Sequence, residues 1–308
     1  MCSDSMYYRG CEYNVSNGAK SCDKKSRCLH SSKVVAGIFV FMTSTEIKLV
    51  DTHTHLYLDQ FDGDREEAMT RCFESGIETL LLPNINLESV PRVLDMMKKW
   101  PKACYGMMGL HPCYVDADWE KELESIMATL DSPPDDMDFV AVGEIGLDLY
   151  WEKKFKAEQS EAFLTQARMA KERGLPIVIH VRDAWEELFT LMDQVNDDRL
   201  RGVFHCFTGG LKEAERALDY GGFLLGIGGV STYKNGGLDK VLPSIPLESL
   251  VLETDSPYLS PVPHRGKRNE SSYLVHIAKK LAEIKGVSFE EVASVTTEVA
   301  VKMFGLKK

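Results

Sequence analysis

Eight short apolar runs, each followed by an amphipathic segment and together spanning roughly 260 residues, predict an α/β fold whose eight parallel strands close into a (β/α)8 barrel. Several runs are apolar on both faces, as strands buried on both sides of a parallel sheet must be. No fixed-period repeat, low-complexity tract or linker divides the series. A doubly wound sheet is the competing arrangement, but no Gly-rich dinucleotide loop follows the first strand.

The first strand is Ile47–Asp51 and the first helix Arg65–Ser75. Thr79–Pro83 and Leu87–Lys99 form the second unit, Cys104–Gly109 and Trp119–Leu130 the third. Phe139–Ile145 precedes the long amphipathic segment Phe155–Arg173; Pro176–His180 precedes Ala184–Gln194. Gly202–His205 pairs with Lys212–Tyr220, and Phe223–Gly226 with the short Leu238–Leu242. Leu250–Glu253 is the eighth strand, followed by Tyr273–Lys285. Ser288 with Glu291 three residues on reads as a capping box opening a last helix to about Phe304.

Residues 1–41 do not join this pattern. They read as a disordered or non-native extension, with Met42 the natural start and 42–308 the folded domain. The apolar stretch Val34–Met42 follows more than thirty residues and has no A-x-A site after it, which argues against a signal peptide. Cys2, Cys11, Cys22 and Cys28 contain no CxxC pair, so a zinc knuckle is disfavoured. Cys72, Cys104, Cys113 and Cys206 lie beside apolar segments and read as reduced, cytoplasmic thiols. No run approaches the ~20 apolar residues of a membrane span. The formal net charge of -11 excludes long-range attraction to a polyanion, leaving phosphate contacts to local basic patches.

The chemistry lies at the strand ends, where a barrel places its catalytic groups. His53 and His55 follow the first strand; two residues one apart in an extended chain project from the same side. His111 follows the third strand, Glu144 and Asp148 the fourth, His180 and Arg182 the fifth, His205 the sixth, and Asp255 the eighth. Five of the chain's eight histidines fall at these ends. Singly, each has a plain structural reading: a satisfied core histidine, a helix cap, a solvated charge. Jointly, four histidines and two carboxylates at one barrel mouth would bury several charges without purpose, and a divalent metal removes that cost. The set exceeds one tetrahedral ion and suits two ions, roughly 3.5–4 Å apart, sharing a carboxylate. Glu144, midway around the ring, is the expected bridge, and Asp255 the group that also accepts a proton from water. The loop after strand eight adds Arg265, Lys267 and Arg268, which with His111 and Arg182 are the candidate substrate contacts. No aromatic ladder marks a long track for a single-stranded polymer.

Seven ordered motifs carry a resemblance: Asp51-Thr-His-Thr-His55, Gly109-Leu-His-Pro112, Gly143-Glu-Ile-Gly-Leu-Asp148, Ile179-His-Val-Arg182, His205-Cys-Phe-Thr-Gly209, Glu253-Thr-Asp-Ser-Pro257 and Pro263-His-Arg-Gly-Lys-Arg-Asn-Glu270. Over about Lys48 to Phe304 the chain resembles the TatD family of metal-dependent hydrolases and deoxyribonucleases. The resemblance implies a TIM barrel of the metal-dependent amidohydrolase type. One ion would take His53, His55, Glu144 and Asp255, the other Glu144, His180 and His205, with magnesium, manganese or zinc as the metal. Ser271 stands where many members carry proline. The implied activity is a deoxyribonuclease acting on nucleic-acid ends, DNA or also RNA, with no membrane and no obligate protein partner. A small-molecule amidohydrolase or esterase with the same metals is the alternative. A metal-stabilised binding scaffold is the third reading, disfavoured because no ligand is missing.

Overall fold

In the computed structural model, residues 48–134, 137–151 and 153–307 are described. The expectations for residues 1–41, including the first four cysteines, lie outside them. Each predicted unit forms. They are β1 (Leu49–Asp51), α1 (Arg65–Glu74), β2 (Ile77–Pro83), α2 (Val90–Lys99), β3 (Cys104–Met108) and α3 (Trp119–Asp131). Then come β4 (Phe139–Asp148), α4 (Lys156–Arg173), β5 (Ile177–Arg182), α5 (Trp185–Val195), β6 (Gly202–Phe204) and α6 (Leu211–Asp219). The chain ends with β7 (Phe223–Ile227), α7 (Leu238–Val241), β8 (Leu250–Leu252), α8 (Leu274–Lys285) and α9 (Phe289–Phe304).

The strands pair in parallel in the order β1 to β8. The seam between β8 and β1 is closed by Thr52 N donating to Leu252 O at 3.0 Å, Asp255 N to His53 O at 2.9 Å and His55 N to Ser256 O at 2.8 Å. A buried carboxylate locks the same seam: Asp51 accepts from Thr254 N at 2.9 Å and from Thr254 Oγ1 at 2.6 Å. Ser271 Oγ, in the loop entering α8, lies 3.1 Å from Thr54 Oγ1 and ties that loop to the end of β1.

Two cores follow from strands that are apolar on both faces. Leu80 and Leu82 pack outward under the helices, while Leu81 between them packs inward. The inner core takes a side chain from every strand, from Val50 to Val251, and Ala300, Met303 and Phe304 of α9 join it. Helix α9 lies at the strands' N-terminal end, since Thr297 Oγ1 donates to Lys48 O at 2.9 Å and Lys307 pairs with Asp138. Its start carries one arm of the expected capping box, Ser288 Oγ accepting from Glu291 N at 3.1 Å. With one end plugged, only the C-terminal mouth is left for chemistry.

Most boundaries lie within two residues of expectation. The largest differences are of three residues: α2 begins at Val90 rather than Leu87, and β4 runs further, to Asp148. Its pairing with β5 continues through Gly146↔His180, Leu147↔Val181 and Asp148↔Arg182. Gly146 makes this possible: its φ is +148°, and a Cβ there would stand 1.9 Å from the His180 carbonyl oxygen. A side chain would have to push β5 away, displacing His180. Gly146→Ala is therefore expected to cost about 3 kcal/mol or more of unfolding free energy. Denaturant melts check this, and a loss below about 0.5 kcal/mol, the range of an ordinary surface change, would show that β4 and β5 do not approach this closely.

Candidate metal centre

Interior strand faces extend into the mouth with period two. Val178 and His180, Val203 and His205, and Val251 and Glu253 are pairs two residues apart, the first of each in the inner core. The second of each pair therefore points up the barrel axis. His53 and His55 enter from the end of β1, where the seam hydrogen bonds hold their backbone.

Glu144 stands at the centre, almost fully buried, and its two oxygens face different histidines. Oε2 is 3.2 Å from His53 Nε2 and 3.6 Å from His55 Nε2. Oε1 is 2.9 Å from His180 Nδ1, 3.3 Å from His111 Nε2 and 3.5 Å from His205 Nε2. Asp255 Oδ1 approaches the same group from the seam, at 3.5 Å from His55, 3.8 Å from His205 and 3.9 Å from His53. Its backbone is left-handed, with φ +56°, as is that of Cys206 at +45°. Non-glycine residues rarely adopt this conformation, which concentrates at functional sites. The structure thus gathers His53, His55, Glu144, His180, His205 and Asp255 into one cluster.

Surrounding groups determine which ring nitrogens carry lone pairs. Tyr57 has one hydroxyl proton and donates it to Pro83 O at 2.7 Å, so its oxygen accepts from His55 Nδ1–H at 2.8 Å. That leaves the His55 Nε2 lone pair facing Glu144 and Asp255. His111 is the opposite tautomer. Its Nδ1 accepts from Cys113 N at 3.1 Å, so in the neutral ring Nε2 carries the proton toward Glu144. His111 joins the cluster as a donor to Glu144, although its distances alone would group it with Glu144 and His180 as a ligand.

Two carboxylates support the histidines from outside. Asp148 Oδ2 lies 3.0 Å from His180 Nε2, while its Oδ1 accepts from Tyr150 N and Trp151 N. Glu253 Oε1 lies 3.0 Å from His205 Nδ1, off the line of a hydrogen bond, and also accepts from Cys206 N. These partners, with Tyr57, went unassigned in the motif reading. A period-two signal was available for two of them: Tyr57 continues the alternation of His53 and His55, and Glu253 that of Val251.

The electrostatics call for a cation. Burial opposes the charge on Glu144, but His111, His53 and His205 hold its carboxyl well below the usual range. Burial likewise opposes ionised Asp255, and His55, His205 and His53 outweigh it, so its pKa is lowered. His53 drops to about 4 through burial and the neighbouring His205, and so stays neutral with one ring-nitrogen lone pair available. His205 rises to about 10 against its burial because Glu253 and Glu144 face it, and His180 to about 9 because of Asp148 and Glu144. Four carboxylates thus demand positive charge here, which imidazole protons otherwise supply and which divalent ions satisfy. Among the described residues, His53 Nδ1, His205 Nδ1 and Glu253 Oε2 are buried without a hydrogen-bond partner, and all three belong to this cluster. The donor set fits divalent metal.

The expected substrate contacts diverge. Arg182 lies at the mouth with its guanidinium 4.0 Å over the Tyr150 ring and 5.2 Å over Trp151. Arg265, exposed, stacks 4.1 Å over Tyr233, and Lys267 is exposed beside it. Arg268 is drawn away. Its fork binds Asp64 at 2.6 and 2.7 Å and Gln60 O at 2.7 Å, and its guanidinium stacks 4.2 Å over Phe61. It closes the loop onto the segment before α1 and has little left for phosphate.

A family model described as "TatD related DNase" matches residues 50–305. An uncharacterized metal-dependent hydrolase, YabD, of Bacillus subtilis is 38% identical over 263 residues, covering 83% of this chain and 98% of its own. The 3'-5' ssDNA/RNA exonuclease TatD of Escherichia fergusonii is 33% identical over 265 residues, covering 84% and 99%. The crystal structure of YJJV, a TatD homologue from Escherichia coli, superposes with a TM-score of 0.79 at 29% identity, covering 85% of this chain and 99% of its own. No helix among the described residues is long and apolar enough to cross a membrane.

Proposed function

The chain belongs to the TatD family of metal-dependent hydrolases, and on that premise we propose that it is a nuclease that removes nucleotides from the ends of DNA, and of RNA where a 2'-hydroxyl is tolerated. The observation that carries the reading is the divided carboxylate of Glu144, one oxygen facing His53 and His55 and the other His180 and His205. That is the disposition of a bridge between two divalent ions, magnesium, manganese or zinc. One would be held by His53, His55, Glu144 and Asp255, the other by Glu144, His180 and His205. Ions bound there would supply Lewis acidity to the phosphodiester and to its attacking water.

The chain's own groups do the rest. Asp255, kept ionised by the histidines around it, accepts the proton of the attacking water. His111 donates to Glu144 and holds it in place. Arg182, Arg265 and Lys267 receive the phosphates, a local cationic arc on a chain of net charge -11. The four described cysteines are free thiols, in keeping with a cytoplasmic enzyme.

The amidohydrolase alternative is less well supported at the bridge itself. Cyclic-amide hydrolases of similar architecture commonly place a modified lysine there, whereas β4 carries Glu144 and contains no lysine.

End-labelled single-stranded DNA incubated with protein in Mg²⁺, Mn²⁺ or Zn²⁺, beside an Asp255→Asn control, tests the proposal. A ladder of shortened products absent from the control is expected. Intact DNA under every metal, with metal shown bound by elemental analysis, would overturn it in favour of a small-molecule hydrolase.

A further inference from the structure

Single exposed apolar side chains are ordinary; the distribution of the aromatic ones is not. Five aromatic residues are prominent among the exposed hydrophobics of the described chain: Phe73, Tyr114, Tyr150, Trp151 and Tyr258. Phe73 lies on α1. The other four, each 44–49% exposed, lie in the loops after β3, β4 and β8, which carry His111, follow directly on Asp148 and carry Asp255, respectively.

Each ring is tied to the metal centre. Tyr114 lies 6.2 Å from the His111 ring and Tyr258 6.1 Å from the His55 ring, centroid to centroid. Tyr150 and Trp151 are held through Asp148, whose other oxygen binds His180. Those two rings pack edge to face at 4.7 Å, and Arg182 stacks on them, placing a cation beside the aromatic faces. Rings from three loops, exposed at fixed distances from a hydrolytic centre and accompanied by an arginine, form a surface suited to flat π systems linked by phosphates.

We propose that Tyr114, Tyr258 and the Tyr150–Trp151 pair are base-stacking subsites that take the unpaired terminal nucleotides of a single strand, with Arg182 on the phosphate between them. The inference rests on the nuclease reading and names the residues that grip the bases of the substrate. Bases must be unpaired to offer their faces to these rings. Stacking accepts every base, so cleavage runs with little sequence preference. The rings come from loops far apart in the chain, which is why the sequence shows no aromatic ladder. The rim is short, in keeping with recognition of a few nucleotides.

The test compares two end-labelled oligothymidylates with the metal-loaded enzyme: one complete, one carrying base-free tetrahydrofuran at its terminal residues. Removing the bases is expected to raise KM by about 5- to 100-fold per subsite, with a smaller change in kcat. In Tyr258→Ala and in the Tyr150→Ala/Trp151→Ala double variant, the difference between the two substrates should shrink by the about 5- to 100-fold of the subsite removed, while Tyr258→Phe retains it. Equal KM for the two substrates in the wild type overturns the stacking proposal and leaves the nuclease standing. A Phe variant that behaves like the Ala variant overturns the assignment of Tyr258, since the hydroxyl would then be the operative group. Failure of the wild type to cut either substrate removes the nuclease reading, and this inference with it.

Discussion

Asp255→Asn is expected to lower turnover by about 10²- to 10⁴-fold while leaving the fold and most of the bound metal in place. The substitution is well matched to the site. Residue 255 has a φ of +56°, a region that asparagine and aspartate tolerate better than other side chains. An alanine there would mix backbone strain with loss of function. The seam bond from the residue 255 N–H to His53 O is untouched by the change. One amide oxygen still reaches toward His55 and the metals, but the carboxylate that accepts the water proton is gone. The measurement is kcat beside thermal melting and metal content on the same preparation. An unchanged kcat would remove Asp255 from the mechanism; a lost fold or lost metal would assign it to structure instead.

Glu144→Gln is expected to act on the metal itself. Five imidazole nitrogens lie within 3.6 Å of the two Glu144 oxygens, which divide between the two halves of the cluster. Glutamine keeps the volume but removes the charge and replaces one acceptor oxygen with a donor NH₂ that points at nitrogen lone pairs. Loss of a group that merely orients a ligand weakens metal binding about 10- to 100-fold, so loss of the shared ligand should cost at least about 100-fold. Elemental analysis after dialysis is expected to show less metal per protein than in the wild type, with activity lost in parallel. Full metal occupancy in this variant would show that Glu144 does not bridge.

The barrel was legible because its signals are local. Each strand core, such as Leu80-Leu81-Leu82, is a short apolar run, and each helix shows its own periodicity. Boundaries slipped where a non-local contact decided them. β4 continues to Asp148 because Gly146 admits the His180 carbonyl, an approach that no pattern within β4 announces.

The candidate ligands were legible for a related reason. In a parallel barrel every strand end opens on the same mouth, so His53, His55, Glu144, His180, His205 and Asp255 converge whatever the details of packing. Their supporting partners were not. Whether Asp148 caps a helix or steadies His180 depends on the register of β4 against β5. Whether Glu253 reaches His205 depends on how β6 and β8 stand across β7.

Residue types and their period within strands therefore determined, from sequence alone, the eightfold architecture and the set of polar groups gathered at one end of it. Only the tertiary structure decided how those groups divide their labour. Arg265, Lys267 and Arg268 are alike on paper, yet Arg268 is committed to Asp64 and Phe61, some two hundred residues earlier. Aromatic rings from three loops remote in the chain, Tyr114, the Tyr150–Trp151 pair and Tyr258, meet around one candidate metal centre. The physical reason is the same in both cases. A side chain's role is set by what lies within a few ångströms of it, and in a closed barrel those neighbours come from strands and loops remote in sequence.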